Sequence, residues 1–256
     1  MERRDFIGLL AAGAVAGNGR LRAAPGQSAA HKPYKAVAFD AFPIFDPRPV
    51  FELAEKLFPG KGAELSSQWR TRQFEYQWLR TLSGRFADFW QTTQDALVFA
   101  ARLSHLDLTP AARDQLMSAY LELRPWPEVP GVLRTLRGAG LRLAFLSNMT
   151  KSMLDRAIAN GGLDGIFECV LSSDAARAHK PDPRAYRMAQ EALRLARDEI
   201  VFAAFAGWDA VGAKAFGYPT FWVNRLHLPL EELGVAPDAE GADLNDLLNF
   251  VATGNG

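Results

Sequence analysis

The chain has 256 residues, of which 48% are hydrophobic and 23% charged, a composition ordinary for one large globular domain or a core with an insertion. The 29 basic and 29 acidic residues cancel, which argues against nucleic-acid binding because a phosphate backbone asks for a basic excess. A single cysteine, Cys169, excludes an intramolecular disulfide, and its strand-like surroundings favour a small core residue over a nucleophile.

Residues 1–30 do not have the pattern of a folded segment. Paired arginines, Arg3-Arg4, precede a mildly apolar Gly/Ala-rich stretch, and small residues recur as far as Ala30. This pattern is typical of a twin-arginine export leader and predicts a periplasmic protein, with a disordered tail on a cytoplasmic protein as the alternative. The apolar part is shorter than the roughly 20 residues of a membrane span, so we expect no membrane partner.

The apolar run Ala36–Phe39 predicts a strand buried on both faces, and Asp40 follows it directly. Open α/β sheets bind ligands at the carboxyl ends of their parallel strands. Burying an unpaired charge in a dry core is energetically costly, so a charge at this position indicates a function. Asp40 is therefore a candidate site residue. Ser147, Lys180 and Asp209 follow later apolar segments in the same way, so these endings predict one crevice.

From residue 51 to about residue 123 the sequence predicts helices and no strand. Apolar residues recur there at helical spacing, and Thr109 is placed to cap a helix that begins with Pro110. Spacing alone favours a core role for the aromatic residues of this block, Trp69, Phe74, Trp78 and Phe89. Because the block follows the first strand, it is predicted to form a lid over Asp40.

Strands and helices alternate in the rest of the chain. The predicted strands are Leu141–Leu146, Phe167–Leu171, Ile200–Phe205 and Thr220–Val223, with helices starting near Lys151, Asp182-Pro183 and Asp209. The alternation predicts an α/β fold, a Rossmann-like parallel sheet with helices on both faces. The predicted domains are a core of residues 33–48 and 126–250 and a helical cap of residues 49–125 inserted after the first strand.

Taken together, these residues resemble the haloacid dehalogenase superfamily and, within it, the L-2-haloacid (type II 2-haloacid) dehalogenases. The similarity spans about residues 34–235 and rests on the joint order and spacing of short segments. They are Ala38-Phe39-Asp40, Trp69-Arg70, Glu75-Tyr76, Trp78-Leu79-Arg80, Leu146-Ser147-Asn148, Lys180-Pro181-Asp182, Tyr186, Trp208-Asp209 and Val223-Asn224-Arg225. The resemblance implies hydrolysis of short 2-haloalkanoic acids through an aspartyl ester, no cofactor or metal, and a homodimer.

The resemblance also assigns catalytic roles. It makes Asp40 the nucleophile, Lys180 its charge partner, and Arg70 the receptor for halide or substrate carboxylate. Asp209 belongs to the acidic loop that assists hydrolysis, and Tyr186 to the same polar network. Elementary chemistry agrees, because an ammonium keeps a partly buried carboxylate charged, carboxylates form covalent esters, and a guanidinium suits anions.

The same resemblance implies a substrate pocket. Ser147 and Asn148 are expected to hold the substrate carboxylate, through a side chain and a backbone amide. The apolar residues assigned to substrate are Phe42, Phe74, Phe89 and Trp208, and Tyr186 is assigned to substrate binding as well.

Taken without the resemblance, several of these residues have plainer explanations. Asp182 and Asp209 are equally explained as helix caps. Glu75 and Arg80 fit solvated or paired charges on the cap, and His179 fits a solvent-facing loop residue better than a base.

The sequence departs from the family pattern in two places. A Gly and a Thr are expected shortly after the nucleophile, but the loop Asp40–Asp46 has neither and is one residue shorter. A Ser and an Asn expected before Asp209 are replaced by Ala204 and Ala206. These losses keep an alternative open, a divergent hydrolase or small-carboxylate-binding protein with weak or no dehalogenase activity. A magnesium-dependent phosphatase is disfavoured, because Phe42 stands where such enzymes have a second Asp.

Overall fold

The computed structural model describes residues 34–254, and within them a six-stranded parallel sheet carries the fold. The strands are β1 Ala36–Phe39, β2 Phe45–Asp46, β3 Arg124–Pro125, β4 Arg142–Ser147, β5 Cys169–Ser172, β6 Ile200–Ala204, β7 Thr220–Val223 and β8 Ala239–Gly241. The large sheet has the order β5-β4-β1-β6-β7-β8, and β2 pairs with β3 in a separate antiparallel ribbon. The predicted leader lies outside the described residues and stays a prediction.

Strand β1 is buried on both faces because strands flank it and its side chains alternate. Strands β4 and β6 pair with it in parallel. Val37 and Phe39 belong to one apolar cluster, whereas Ala36 and Ala38 belong to the cluster on the opposite face. Extended chain imposes this period of two, and burial on both faces explains why the strand is continuously apolar.

Helices cover both faces of the sheet. They are α1 Arg48–Leu57, α2 Gly62–Leu82, α3 Phe89–Leu103, α4 Pro110–Ala119, α5 Val129–Gly138, α6 Lys151–Asn160, α7 Pro183–Leu193, α8 Gly207–Phe216 and α9 Leu244–Gly254. Helices α5, α6 and α9 contribute to the cluster of Val37, and α7 and α8 to the cluster of Ala36. The predicted α/β fold with a parallel sheet is thus confirmed. Nowhere in residues 34–254 is a helix both long and apolar enough to span a membrane.

Helices α1 to α4 lie between ribbon strands β2 and β3, in the segment predicted to form the cap. The longest, α2, packs along α3, and the buried indole of Trp69 donates to the carbonyl oxygen of Thr93 at 2.8 Å. Thr109 caps α4 as predicted, since its hydroxyl oxygen accepts from the backbone N–H of Ala112 at 3.2 Å. The domain boundaries at residues 49 and 125 stay a prediction.

The elements that the sequence pattern does not reveal are helix α5, the short strands β2 and β3, and the elements near the end of the chain. Strands β2 and β3 have two residues each, which is too few to show any period. Strand β8 reads Ala-Glu-Gly at the sheet edge and lacks an apolar run. Helix α9 does bury residues at helical spacing, Leu244, Leu247 and Val251.

Trp69→Phe is expected to lower the melting temperature. It removes a buried hydrogen bond and leaves a gap, which together cost about 1–3 kcal/mol. For a chain of this size each kcal/mol shifts the melting temperature by roughly 2–4 °C. Leu82→Ala, at an 85% exposed position of the same helix, is the control and should melt like the parent. Equal melting of all three proteins would show that the indole does not hold α2 on α3.

Candidate active site

Four polar side chains meet at the carboxyl edge of the sheet, as the strand endings predict. Asp40 follows β1 and Ser147 ends β4. Lys180 lies in the loop between β5 and α7, and Asp209 lies in the first turn of α8, directly after β6. Since β4, β1 and β6 are neighbours in the sheet, their endings face one crevice.

The ammonium of Lys180 lies between the carboxylates of Asp40 and Asp209. Its Nζ donates to Asp40 Oδ1 at 2.9 Å and to Asp209 Oδ2 at 2.5 Å. The hydroxyl of Ser147 donates to the same Asp40 oxygen at 3.1 Å. Asp40 Oδ2 receives a longer bond, 3.3 Å, from the backbone N–H of Phe42. Oδ2 is therefore the less engaged oxygen of this carboxylate.

Burial and charge act in opposite directions on these groups. Burial disfavours the Lys180 ammonium, but the carboxylates of Asp209 and Asp40 overcome it and raise the pKa of Lys180. Burial raises the pKa of Asp209 to about 6 against the pull of Lys180, and the Asp40 charge adds to the rise. Lys180 thus stays charged at neutral pH, whereas Asp209 changes its charge near pH 6.

Tyr186 contacts Asp209 on the side away from the cavity. Its hydroxyl donates to Asp209 Oδ1 at 2.6 Å, and burial raises the pKa of Tyr186 well above its ordinary value. The ring is fully buried and is not part of the cavity wall, so Tyr186 contacts Asp209 and not a ligand. The helix-cap explanation of Asp209 is wrong, because Ala206 is the N-cap of α8 and the Asp209 carboxylate bonds to side chains.

The loop around Lys180 also docks on the helical block. Asp182 caps α7 as predicted, accepting from the backbone N–H of Arg184 at 2.9 Å. The prediction of a solvent-facing His179 is wrong. That ring is buried, its Nε2 donates to the carbonyl oxygen of Ala87 at 2.9 Å, and burial lowers the pKa of His179 to about 4.

An apolar cavity of about 320 Å³ borders the Asp40 carboxylate. The predicted pocket residues that line it are Phe42, Phe74, Phe89 and Trp208, and the predicted polar residues that border it are Arg70, Ser147, Asn148, Lys180 and Asp209. The rings of Phe74 and Trp208 meet edge to face at 5.2 Å, which closes α2 against the start of α8. The core role expected from spacing holds for Trp69 and for Phe89, which also lines the cavity, whereas Phe74 is only partly buried and faces the cavity.

Arg70 lines this cavity without a carboxylate partner. Its guanidinium lies 5.4 Å from the ring centre of Phe51, and no residue within the range 34–254 forms an ion pair with it. Glu75 and Arg80 are paired as predicted, Glu75 with Arg72 at 2.7 Å and Arg80 with Asp95 at 2.5 Å. A guanidinium left uncompensated in an apolar cavity is a suitable receptor for an anion.

Asn148 and Gln77 tie helix α2 to the sheet edge. Asn148 Oδ1 accepts from the backbone N–H of Lys180 at 2.9 Å, and its Nδ2 donates to Gln77 Oε1 at 2.6 Å. Gln73 and Gln77 both line the cavity, and sequence reasoning misses both. Their spacing could have revealed them, because they follow Arg70 by three and seven residues on one helix face.

The short loop after β1 is held by hydrogen bonds to three successive carbonyl oxygens. Trp126 Nε1 donates to the carbonyl of Phe42 and Arg225 Nη2 to that of Pro43, both at 3.0 Å. The backbone N–H of Trp126 donates to the carbonyl of Ile44, also at 3.0 Å. These contacts fix the course of a loop that lacks the expected Gly and Thr, and Arg225 ties the end of β7 to it.

The two alanines that replace expected polar residues differ in position. Ala206 lines the cavity, whereas Ala204 lies fully buried in β6 among the apolar residues behind the sheet edge. Only the replacement at residue 206 therefore changes the wall that a ligand meets.

Metal-ligand geometry is missing from the part of the chain that the structure describes, where no three His, Cys, Asp or Glu side chains converge. Between the paired carboxylates of Asp40 and Asp209 the cation is the Lys180 ammonium.

Comparison with known proteins relates the chain to dehalogenases. A family model for haloacid dehalogenase-like hydrolases matches residues 21–217. The chain is 42% identical over 223 residues to (S)-2-haloacid dehalogenase from Pseudomonas sp. (strain YL), covering 87% of this chain and 96% of that relative. It is 40% identical to haloacetate dehalogenase H-2 from Moraxella sp. (strain B), covering 86% of this chain and 99% of that relative.

Solved structures show the same likeness. A crystal structure of an L-2-haloacid dehalogenase matches with a TM-score of 0.85 and 44% identity, covering 86% of this chain and 100% of that chain. The structure of L-2-haloacid dehalogenase from Xanthobacter autotrophicus with chloropropionic acid covalently bound matches with a TM-score of 0.78 and 34% identity, covering 86% of this chain and 98% of that chain.

Lys180→Met is expected to destabilise the protein more at about pH 8 than at about pH 5. It leaves Asp40 and Asp209 buried side by side, and breaking a buried pair costs about 3–5 kcal/mol. Lys180 lowers the pKa of Asp209, so without the ammonium that pKa rises in the folded state. The folded protein then takes up a proton on acidification, and the loss of stability becomes smaller. Melting temperatures of the variant and the parent at both pH values measure this loss of stability.

Lys151→Met is the matched control, because it removes only an exposed pair with Asp155. Its melting temperature should stay near that of the parent at both pH values. A Lys180→Met deficit that grows at the lower pH would contradict the shared pairing of Lys180 with both carboxylates.

Proposed function

This chain belongs to the haloacid dehalogenase-like hydrolases and is an (S)-2-haloacid dehalogenase-like enzyme, and we propose that it hydrolyses short 2-haloalkanoic acids through an ester on Asp40. One observation carries the proposal. The Asp40 carboxylate, paired with buried Lys180, borders an apolar cavity that also holds the unpaired guanidinium of Arg70. The cavity thus joins a nucleophile to a receptor for the departing anion.

In the first proposed step, Asp40 Oδ2 attacks carbon 2 of the haloacid. A carbon–oxygen bond forms while the carbon–halogen bond breaks, and the bonding electron pair leaves with the halide. Lys180 holds Oδ1, which orients Oδ2 for in-line attack. Arg70 receives the halide, and the aromatic walls keep water from competing with the nucleophile.

In the second proposed step, water attacks the carbonyl carbon of the Asp40 ester. One proton of the water passes to Asp209 and the other ends on the departing alkoxide, which leaves as the 2-hydroxy acid. The water oxygen remains in the regenerated Asp40 carboxylate, and Asp209 then releases its proton to solvent. Tyr186 and Lys180 orient the Asp209 carboxylate for this transfer.

The proposed substrate contacts follow from the cavity wall. The substrate carboxylate binds at Ser147 and the backbone N–H of Asn148, while its alkyl chain lies among the aromatic rings. The Ser147 hydroxyl donates to Asp40 in the free site, so it turns toward the substrate on binding.

A divergent hydrolase or carboxylate-binding protein with weak or no dehalogenase activity is the second candidate, and Ala206 favours it. A methyl stands in the cavity wall where the family pattern has a polar side chain. Loss of one positioned polar group can cost roughly a hundredfold in rate. The nucleophile, its cation and the anion receptor are all retained, which favours the dehalogenase.

Isotope labelling tests the proposal. With enzyme in excess over 2-bromopropionate in ¹⁸O-water, one turnover should give unlabelled product and place the label in the peptide that contains Asp40. Label in the product after a single turnover would mean that water displaces the halide directly. No halide release from any 2-haloacid would favour the second candidate.

Arg70→Ala is expected to lower halide release about a hundredfold, because the departing anion loses its receptor. The melting temperature should change little, since no protein carboxylate within residues 34–254 pairs with Arg70. Arg72→Ala is the matched control, as Arg72 lies on the same helix, pairs with Glu75 and stays outside the cavity wall. Unchanged halide release with a several-degree loss of melting temperature in Arg70→Ala would make that arginine structural.

Breakdown of the ester is expected to slow as the pH falls through the pKa of Asp209, which is about 6 in the free site and lower once Asp40 is a neutral ester. Below its pKa Asp209 carries a proton and cannot accept one from water. Rapid-quench measurement of the ester across the acidic to neutral range reports the rate. Asp209→Asn should slow breakdown and remove the dependence, and a dependence that survives in this variant would assign the base to another group.

A further inference from the structure

Gln77 is a fully buried amide whose donor group has no partner in the protein. It lies on α2 and lines the cavity. Its Oε1 accepts from Asn148 Nδ2 at 2.6 Å, but no acceptor in residues 34–254 receives its Nε2. Because burying a donor without a partner is costly, a ligand in the cavity is expected to supply the acceptor.

A chain of hydrogen bonds fixes which end of Gln77 remains free. The backbone N–H of Lys180 can only donate, so Asn148 must present Oδ1 to it. Asn148 therefore turns its Nδ2 toward Gln77, which must receive it with Oε1. Rotating either side-chain amide by 180° would place two N–H donors opposite each other. The end of Gln77 that is left for a ligand is therefore Nε2.

The neighbouring glutamine of the same helix face behaves differently. Gln73 also lines the cavity, but its Nε2 donates to the hydroxyl of Thr93 at 2.5 Å. The protein thus satisfies the donor group of one of these two glutamines and leaves that of the other without a partner.

We propose that Gln77 Nε2 binds the carboxylate of the substrate beside Ser147 and Asn148. The inference rests on the proposed function, since it adds a contact to the same 2-haloacid. A carboxylate oxygen is a charged acceptor that strengthens an N–H donor bond, and the hydrogen bond to Asn148 sets the donor beside the residue assigned to that carboxylate. Arg70, a full positive charge, is left to receive the halide.

This contact makes the substrate a bridge between the helical block and the sheet edge. Ser147 and Asn148 follow β4, whereas Gln77 belongs to α2. An acid therefore draws the two parts together, and a haloalkane without a carboxylate does not. Gln77 accordingly contributes to selectivity for acids.

Calorimetry with lactate, a 2-hydroxy acid of the product class, tests the contact in the full chain. Gln77→Leu, which has no donor, should weaken lactate binding about tenfold while chloride binding changes less than about twofold. Gln77→Glu keeps an acceptor for Asn148 and sets a negative charge against the carboxylate, so it should weaken lactate binding further. With 2-bromopropionate, KM should rise in both variants while kcat changes less.

Gln91→Leu is the control, because Gln91 is an exposed glutamine of α3 whose Nε2 donates to Asp95. Unchanged lactate affinity in Gln77→Leu, or weakening of chloride binding alone, would overturn the inference. Should Gln77→Leu not fold, Gln77→Glu decides by the same criteria. Failure of the parent to bind lactate also overturns it. A different outcome separates the two proposals: the parent releases no halide, and the Gln77→Leu variant binds lactate more weakly than the parent. In that case the proposed function fails and the carboxylate contact stands.

Discussion

The buried ammonium of Lys180 is the constraint on which this site depends. Asp40 and Asp209 are both buried, and two carboxylates this close cannot both stay ionised without a cation between them. In the proposed mechanism Asp40 attacks as a carboxylate, so this step depends on the ammonium beside it. Burying the ammonium and the carboxylates carries a desolvation penalty, and only hydrogen bonds at close range offset it. This explains why Lys180 Nζ contacts both carboxylates directly.

The loop that carries the ammonium also positions the helical block. The backbone N–H of His179 donates to the hydroxyl of Thr81 at 3.1 Å, and its ring donates to Ala87. The next residue, Lys180, continues through Asn148 to Gln77. Displacing this loop would therefore remove the charge partner of Asp40 and open the cavity at the same time. This shared support places the guanidinium of Arg70, which comes from a helix, in the same cavity as Asp40.

Sequence reasoning succeeds where a local pattern carries the information. Apolar runs that end in polar residues predict Asp40 and Asp209, and the fold class follows from the alternation of strands and helices. It fails where contacts with segments distant in the sequence determine whether a side chain is buried or faces the cavity. Trp69 and Phe74 share one periodicity, yet one lies in the core and the other faces the cavity. His179 is a plain loop residue until the helical block covers it, because burial there comes from residues about ninety positions away.

Formation of an ester on Asp40 would change the charge balance that sets Asp209. In the free site the Asp40 carboxylate helps to raise the pKa of Asp209, and Lys180 is shared between the two. A neutral ester removes that repulsion and leaves the ammonium to Asp209 alone, and both changes lower the pKa of Asp209. Asp209 is thus most firmly ionised in the interval when the proposed mechanism needs it to accept a proton. In the proposed mechanism one shared ammonium therefore serves Asp40 in the first step and Asp209 in the second.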